Sequence, residues 1–239
     1  MKLENKAALV TGASRGLGQA LAEALAAKGA RVVLVARTEA DVRRAAAAIR
    51  EKGGVAHALA FDVGDKEATH RIAAAAADLV GDVDVLVHNA STLGPVPLRL
   101  MLDTACEDLE DVLLQNVVGP FRLSRAIAGS MALRGQGTVA HVTSDAAVEA
   151  YPRWGAYSIS KAALDAMSRA FAAEVPGVRF LSIDPGEMDT KMHADAVPDA
   201  DRSALARPAD VAAKVIEMLQ DEVRAPSGAR LTAPSWRRS

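Results

Sequence analysis

The 239-residue chain is half hydrophobic and sets 28 Lys and Arg against 30 Asp and Glu, a formal net charge of −2. That length and apolar content can bury a sizeable core without staples, and the near balance of charge gives no bulk electrostatic case for nucleic acid or an anionic membrane. Cys106 is the single cysteine, which excludes an intrachain disulfide and points to a reducing compartment.

No apolar run reaches the roughly 18–20 residues that cross a bilayer, and the one near the N-terminus is too short for a signal peptide. The expectation is a soluble, cytoplasmic protein. The terminal Trp236-Arg237-Arg238-Ser239 is mildly basic and reads as solvated.

In chain order, Ala7 to Val10 reads as a buried strand running into Thr11-Gly12-Ala13-Ser14-Arg15-Gly16-Leu17-Gly18. A helical apolar pattern follows and stops at Lys28-Gly29. Arg31 to Ala36 is the second strand, a charged alanine-rich helix covers about 39–52, and Val55 to Phe61 is the third strand. A helix over about 65–80 leads to a fourth strand, Val83 to Val87. After a proline-containing loop (94–97), a long helical region runs from about 104 to 133. The β-branched run 137–143 is the fifth strand and ends at Ser144. Mixed three- and four-residue apolar steps from Trp154 onward read as a helix. Val178 to Ile183 is the sixth strand, Pro208 opens a helix to about 221, and Ala229 to Thr232 is a last short strand.

Strands alternating with helices in this way imply βαβ units and an α/β architecture, a doubly wound parallel sheet of about seven strands with helices on both faces. No linker or repeat divides the chain, so residues 1–239 read as a single domain, with a polar, methionine-dotted flap at about 187–206 that is expected to be mobile and solvated.

Two stretches carry chemistry. The glycine-rich loop sits between the first strand and its helix, where a parallel sheet binds nucleotide phosphates on backbone N–H groups at a helix N-terminus. At the end of the second strand, where an acidic residue selects NAD through the ribose 2′-hydroxyl, Ala36 and Arg37 stand instead. Arg37 and Arg15 would offer two guanidinium forks to a 2′-phosphate, which favours NADP(H) over NAD(H). The second stretch is Ser144 followed by Tyr157 and Lys161, four apart on a helix and so on one face. A cation beside the phenol is expected to lower the Tyr157 pKa and make it a proton donor and acceptor. The five histidines lack paired metal-ligand spacing, so no metal site is expected. No Gly-x-Ser-x-Gly elbow supports a hydrolase reading of Ser144, and His88 and His141, in or beside strands, read as satisfied structural residues.

From Lys6 to about Thr232 the set resembles the short-chain dehydrogenase/reductase family in its short single-domain form, with a Rossmann-type fold. Gly12, Ser14, Arg15, Gly16, Leu17 and Gly18 are similar to its cofactor loop, and Asp62-Val63 to its adenine-contacting pair. Asn89-Ala90-Ser91 is like its Asn-Ala-Gly, with serine for glycine, and Asn116 falls at its helix asparagine. Ser144, Tyr157 and Lys161 match its catalytic serine and Tyr-x-x-x-Lys. Pro185-Gly186-Glu187-Met188-Asp189-Thr190 is similar to its Pro-Gly-x-x-x-Thr beside the nicotinamide.

The resemblance implies hydride transfer between NADP(H) and a small carbonyl or alcohol: a ketone, an aldehyde or a 3-oxoacyl group. Tyr157 would be acid and base, Lys161 would tune it and bind ribose, Ser144 would hold the substrate oxygen, and Asn116 would hold a relay water. It also implies a homodimer paired through the Asn116 and Tyr157 helices, or a homotetramer formed through the final helix and strand. Trp154 and the methionines would give the substrate apolar contact. Asp145 and Glu187 would attract a cationic or hydroxyl-rich substrate or, in the reading placed first, be rim charges in water. The alternative function is a non-catalytic NADP(H)-sensing interaction protein on the same fold, which would need no proton relay.

Overall fold

The computed structural model describes residues 1–237; Arg238 and Ser239 of the basic tail lie outside the described residues. Strands form at Ala7–Thr11 (β1), Arg31–Ala36 (β2), Val55–Ala60 (β3), Val85–His88 (β4), Thr138–Val142 (β5), Arg179–Asp184 (β6) and Arg230–Thr232 (β7). They make one parallel sheet in the order β3-β2-β1-β4-β5-β6-β7. β1, β4 and β5 are buried at every position. That is why they read as continuous apolar runs and not as alternating ones: both faces of a parallel sheet are covered.

Helices Gly16–Ala27 (α1), Glu39–Glu51 (α2) and Pro208–Gln220 (α8) cover one face, around a core that includes Leu21, Leu34, Val42 and Ile216. Ala68–Val80 (α3), Gly119–Arg134 (α5) and Gly155–Glu174 (α6) cover the other, around Leu86, Ile127 and Phe180. Strand order reverses between β1 and β4, leaving a crevice outside their carboxyl ends, the place where open α/β sheets bind ligands.

Two features depart from the sequence reading. The long helical region is broken: Cys106–Leu113 (α4) passes into a wide π-type turn at Leu114–Val118 before α5 begins. Pro120 has no N–H for the regular ladder, and Gly119 lies so close to the Val63 carbonyl that a Cβ there would stand 2.4 Å from its oxygen. The segment 187–206 is tied down at both ends. It contains the short helix Lys191–Ala196 (α7), Met188 bridges Ala206, and Arg202 Nε donates to Asp189 Oδ1 at 2.8 Å.

Candidate active site

The loop between β1 and α1 is built from close backbone approaches. A Cβ on Gly18 would stand 2.3 Å from the Gly12 carbonyl oxygen and 2.4 Å from Asn89 Nδ2, and Gly12 itself sits at φ +65 against the Ala90 main chain. Asn89 Nδ2 donates to the Thr11 and Gly12 carbonyls at 3.1 and 3.2 Å. Thr11 Oγ1 accepts from the Asn89 and Ala90 N–H groups, each at 3.1 Å. Asn89 thus clamps the loop through its Nδ2 and also lines the cavity that opens from it.

A cavity of about 940 Å³ opens from this loop and runs past Ser14, Arg15, Leu17, Arg37, Asp62 and Val63 to Tyr157, Lys161 and Thr190. Arg15 and Arg37 are exposed into it, and neither side chain has an ion-pair partner among the described residues. Asp62 accepts from Gln115 Nε2 at 2.8 Å and from Gly64 N–H at 2.9 Å, which fixes that corner of the cavity. Pro185 and Met188 line the same cavity. Gly18 and Gly186 do not: the first supports the loop from behind, the second lies in the adjoining cavity.

That second cavity, about 310 Å³, shares Tyr157 with the first and is lined by Leu93, Ser144, Asp145, Trp154, Glu187 and Met192 among others. Tyr157 and Lys161 project side by side from α6, and both are buried. The expected electrostatics need correcting. Lys161 Nζ donates to the Val142 carbonyl at 2.7 Å and lies over the Tyr157 ring, 5.4 Å from its centroid. Burial therefore dominates and pushes the Tyr157 phenol up from its ordinary value. A Ser144 hydrogen bond opposes this, the Asp145 and Asp184 charges add to it, and Ser91 opposes it. Burial also pushes Lys161 down to about 8, against the charge of Asp165 one turn further on.

Asn116, in the π-type turn, is 1% exposed, so each of its side-chain bonds counts. Its Nδ2 donates to the Thr92 carbonyl at 2.8 Å and to Ser160 Oγ at 2.9 Å. Its Oδ1 accepts from Thr92 N–H at 2.8 Å and from Ser91 Oγ at 3.2 Å. Asn116 locks the loop after β4 to α6. The serine that replaces glycine at 91 joins this lock and faces the phenol.

Ser144 Oγ donates to Asp145 Oδ1 at 2.8 Å, and Tyr151 donates to Asp145 Oδ2 at 2.9 Å. Burial alone would raise the Asp145 carboxyl; the hydrogen bonds from Ser144, Tyr151 and the Ala146 N–H outweigh it and hold it below its usual value. Asp145 takes up the one proton that Ser144 Oγ can donate. Only its place next to Ser144 marks it in the sequence.

Behind the site, His88 and His141 are register partners on β4 and β5 with rings stacked at 5.0 Å. His88 Nε2 pairs with Ser124 Oγ at 2.9 Å. The Leu181 backbone faces the His141 ring, but neither ring nitrogen meets a partner in full hydrogen-bonding geometry among the described residues. Burial, with the nearby Lys161 charge, pushes it down to about 3.

Comparison with known proteins agrees with this geometry. The family model for short chain dehydrogenases matches residues 6–201. A short chain dehydrogenase of Pseudocercospora fijiensis is 36% identical over 208 residues, which cover 83% of this chain but 65% of that longer protein. The 3-oxoacyl-[acyl-carrier-protein] reductase FabG of Vibrio cholerae is 33% identical over 206 residues, 85% of this chain and 82% of that one. Among solved structures, a short chain dehydrogenase from Shigella flexneri complexed with NADP superposes with a TM-score of 0.91 at 29% identity, covering 98% of each chain. The chain belongs to the short-chain dehydrogenase/reductase family, whose members are oxidoreductases that use a nicotinamide cofactor.

Proposed function

We propose that the protein transfers hydride between NADP(H) and a small carbonyl compound or its alcohol, with Tyr157 as proton donor and acceptor. The observation that carries the reading is the convergence of Tyr157, Ser144 and Lys161 where the long cavity meets the smaller one. The residues present fit the cofactor. The glycine cradle leaves room that a Cβ would fill, and Arg15 and Arg37, without ion-pair partners among the described residues, bring guanidinium forks to the cavity end beside Ala36. A bound NADP(H) supplies or takes up the hydride.

The chain's own groups manage the proton. A raised pKa keeps the Tyr157 phenol protonated near neutral pH, ready to donate to a carbonyl oxygen. Ser144 Oγ stands beside it and holds that oxygen when its single proton turns from Asp145 Oδ1 to the substrate. The Lys161 cation over the ring stabilises the phenolate needed for alcohol oxidation, joined by the Ser91 and Ser144 hydroxyls when their protons turn from Asn116 and Asp145 to it.

The substrate cavity is walled by Leu93, Trp154 and Met192 and carries the Asp145 and Glu187 carboxylates. Among the described residues its one basic side chain, His193, lies 3.7 Å from Glu187. Neutral or cationic carbonyl compounds therefore suit it better than carboxylate- or phosphate-bearing ones. A panel of such compounds with NADPH, followed by loss of NADPH absorbance, tests the reading. Tyr157→Phe is expected to abolish turnover while NADPH binding stays within about threefold of wild type, since the phenol acts on the proton rather than on ground-state binding. Retained turnover would overturn the assignment.

A further inference from the structure

We propose that Arg230, on the last strand, is a positioning residue of the acid–base site, holding the Ser144 main chain and the Pro185–Gly186 turn in register with α6. The inference rests on the proposed function for its meaning, but its geometry stands alone. Arg230 opens β7, a three-residue strand paired only with β6. Its guanidinium reaches back across the carboxyl ends of the sheet. Nη2 donates to the Ser144 carbonyl at 2.8 Å and to Asp184 Oδ2 at 3.2 Å, and Nε donates to Asp165 Oδ2 at 3.0 Å.

Each partner belongs to a different part of the site. Ser144 begins the loop after β5. Asp184 ends β6, and its Oδ1 accepts from Gly186 N–H at 3.0 Å, capping the turn that lines the substrate cavity. Asp165 lies one helical turn beyond Lys161 on α6. Both carboxylates are only 5% exposed at the side chain, where an ionised group needs a charged, hydrogen-bonded partner. A planar fork of donors serves three acceptors at once; an ammonium offers one point of charge. The family match ends at residue 201, so Arg230 lies beyond the matched stretch.

Arg230→Gln and Arg230→Lys of the full chain test the proposal. In Arg230→Gln, hydrogen–deuterium exchange is expected to rise in peptides covering 143–148 and 184–190, with the β1–β2 strands unchanged. With a neutral ketone, kcat is expected to fall about 10- to 100-fold with little change in KM, the scale of a small misplacement of reacting groups. Arg230→Lys, which keeps a cation between the carboxylates, is expected to restore the thermal midpoint but only part of kcat. Should Arg230→Gln fail to fold, Arg230→Lys decides alone: reduced kcat with raised local exchange supports the role, and wild-type kcat overturns it. A folded Arg230→Gln with wild-type kcat, or with exchange raised equally across the sheet, also overturns it. Exchange is read without substrate. A wild type that reduces no carbonyl would therefore sink the proposed reaction and leave the exchange result to judge Arg230.

Discussion

At the scale of the residue, the Tyr157–Lys161 pair shows how far spacing carries. Four residues on a helix place both side chains on one face, and they share it. Spacing cannot say how deep that face lies, and depth sets the sign of the pKa shifts. Carbonyl reduction leaves Tyr157 as a phenolate under the Lys161 cation, and Lys161 loses that charge near 8, so the alkaline fall in reduction is expected near pH 8. A steady-state profile flat to the ordinary range of a free phenol would refute this.

The same shift governs stability. The unfolded chain holds the lysine proton up to its ordinary 10.5 and the folded chain only to about 8, so stability rises with pH across that window. Below it the cost of the buried charge is fully present. Lys161→Met is expected to abolish activity and to gain about 2–3 kcal/mol at neutral pH, measured by urea unfolding. At the other end of the long cavity, Arg37→Ala is expected to weaken NADPH binding about tenfold and leave NADH binding unchanged, as loss of one charge-assisted contact requires. Fluorescence titration with both cofactors checks it.

At the scale of the element, the glycine loop and the broken helix behave differently. The loop was legible, because three glycines between a strand and a helix have few other uses. The lock that holds it was not: Asn89 reaches the Thr11 and Gly12 carbonyls from the end of β4, and only strand order brings them together. Gly18→Ala is expected to break that lock, weakening NADPH binding more than tenfold and lowering stability by about 1–3 kcal/mol, the range for overpacking at a close contact. Cofactor titration and thermal unfolding read the two effects separately. Within the long helical region, Gly119-Pro120 was the visible mark of a break. Its form as a wide turn that swings Asn116 toward α6 depends on packing against Val63 and Ser160.

At the scale of the whole molecule, both faces of the sheet are sealed, and the polar groups left inside set the acid limit. His141 titrates near 3 when folded and near 6.5 when unfolded, so the unfolded chain binds the extra proton between those values. Stability is expected to fall as pH drops through this window, with His88, also pushed down by burial, adding to the slope. Urea midpoints between pH 7 and 4 would show it, and His141→Leu should flatten the acid limb. We also propose pairing of two chains through α5 and α6, where Phe121 and Ile159 are exposed. Light scattering giving a monomer mass would refute this.

The residues themselves determined what is local: the alternation of buried strands with amphipathic helices, the cofactor loop, the Ser144–Tyr157–Lys161 pattern and the guanidiniums that replace an acidic residue after β2. These follow from periodicity and steric demands that act over a few residues. The tertiary structure alone decided the long-range contacts. Ser91 meets Asn116 across 25 positions, Arg230 meets Asp165 across 65 and the Ser144 carbonyl across 86. No local pattern encodes such pairs, because the partner of a buried charge is chosen by which strand ends the folded sheet sets side by side.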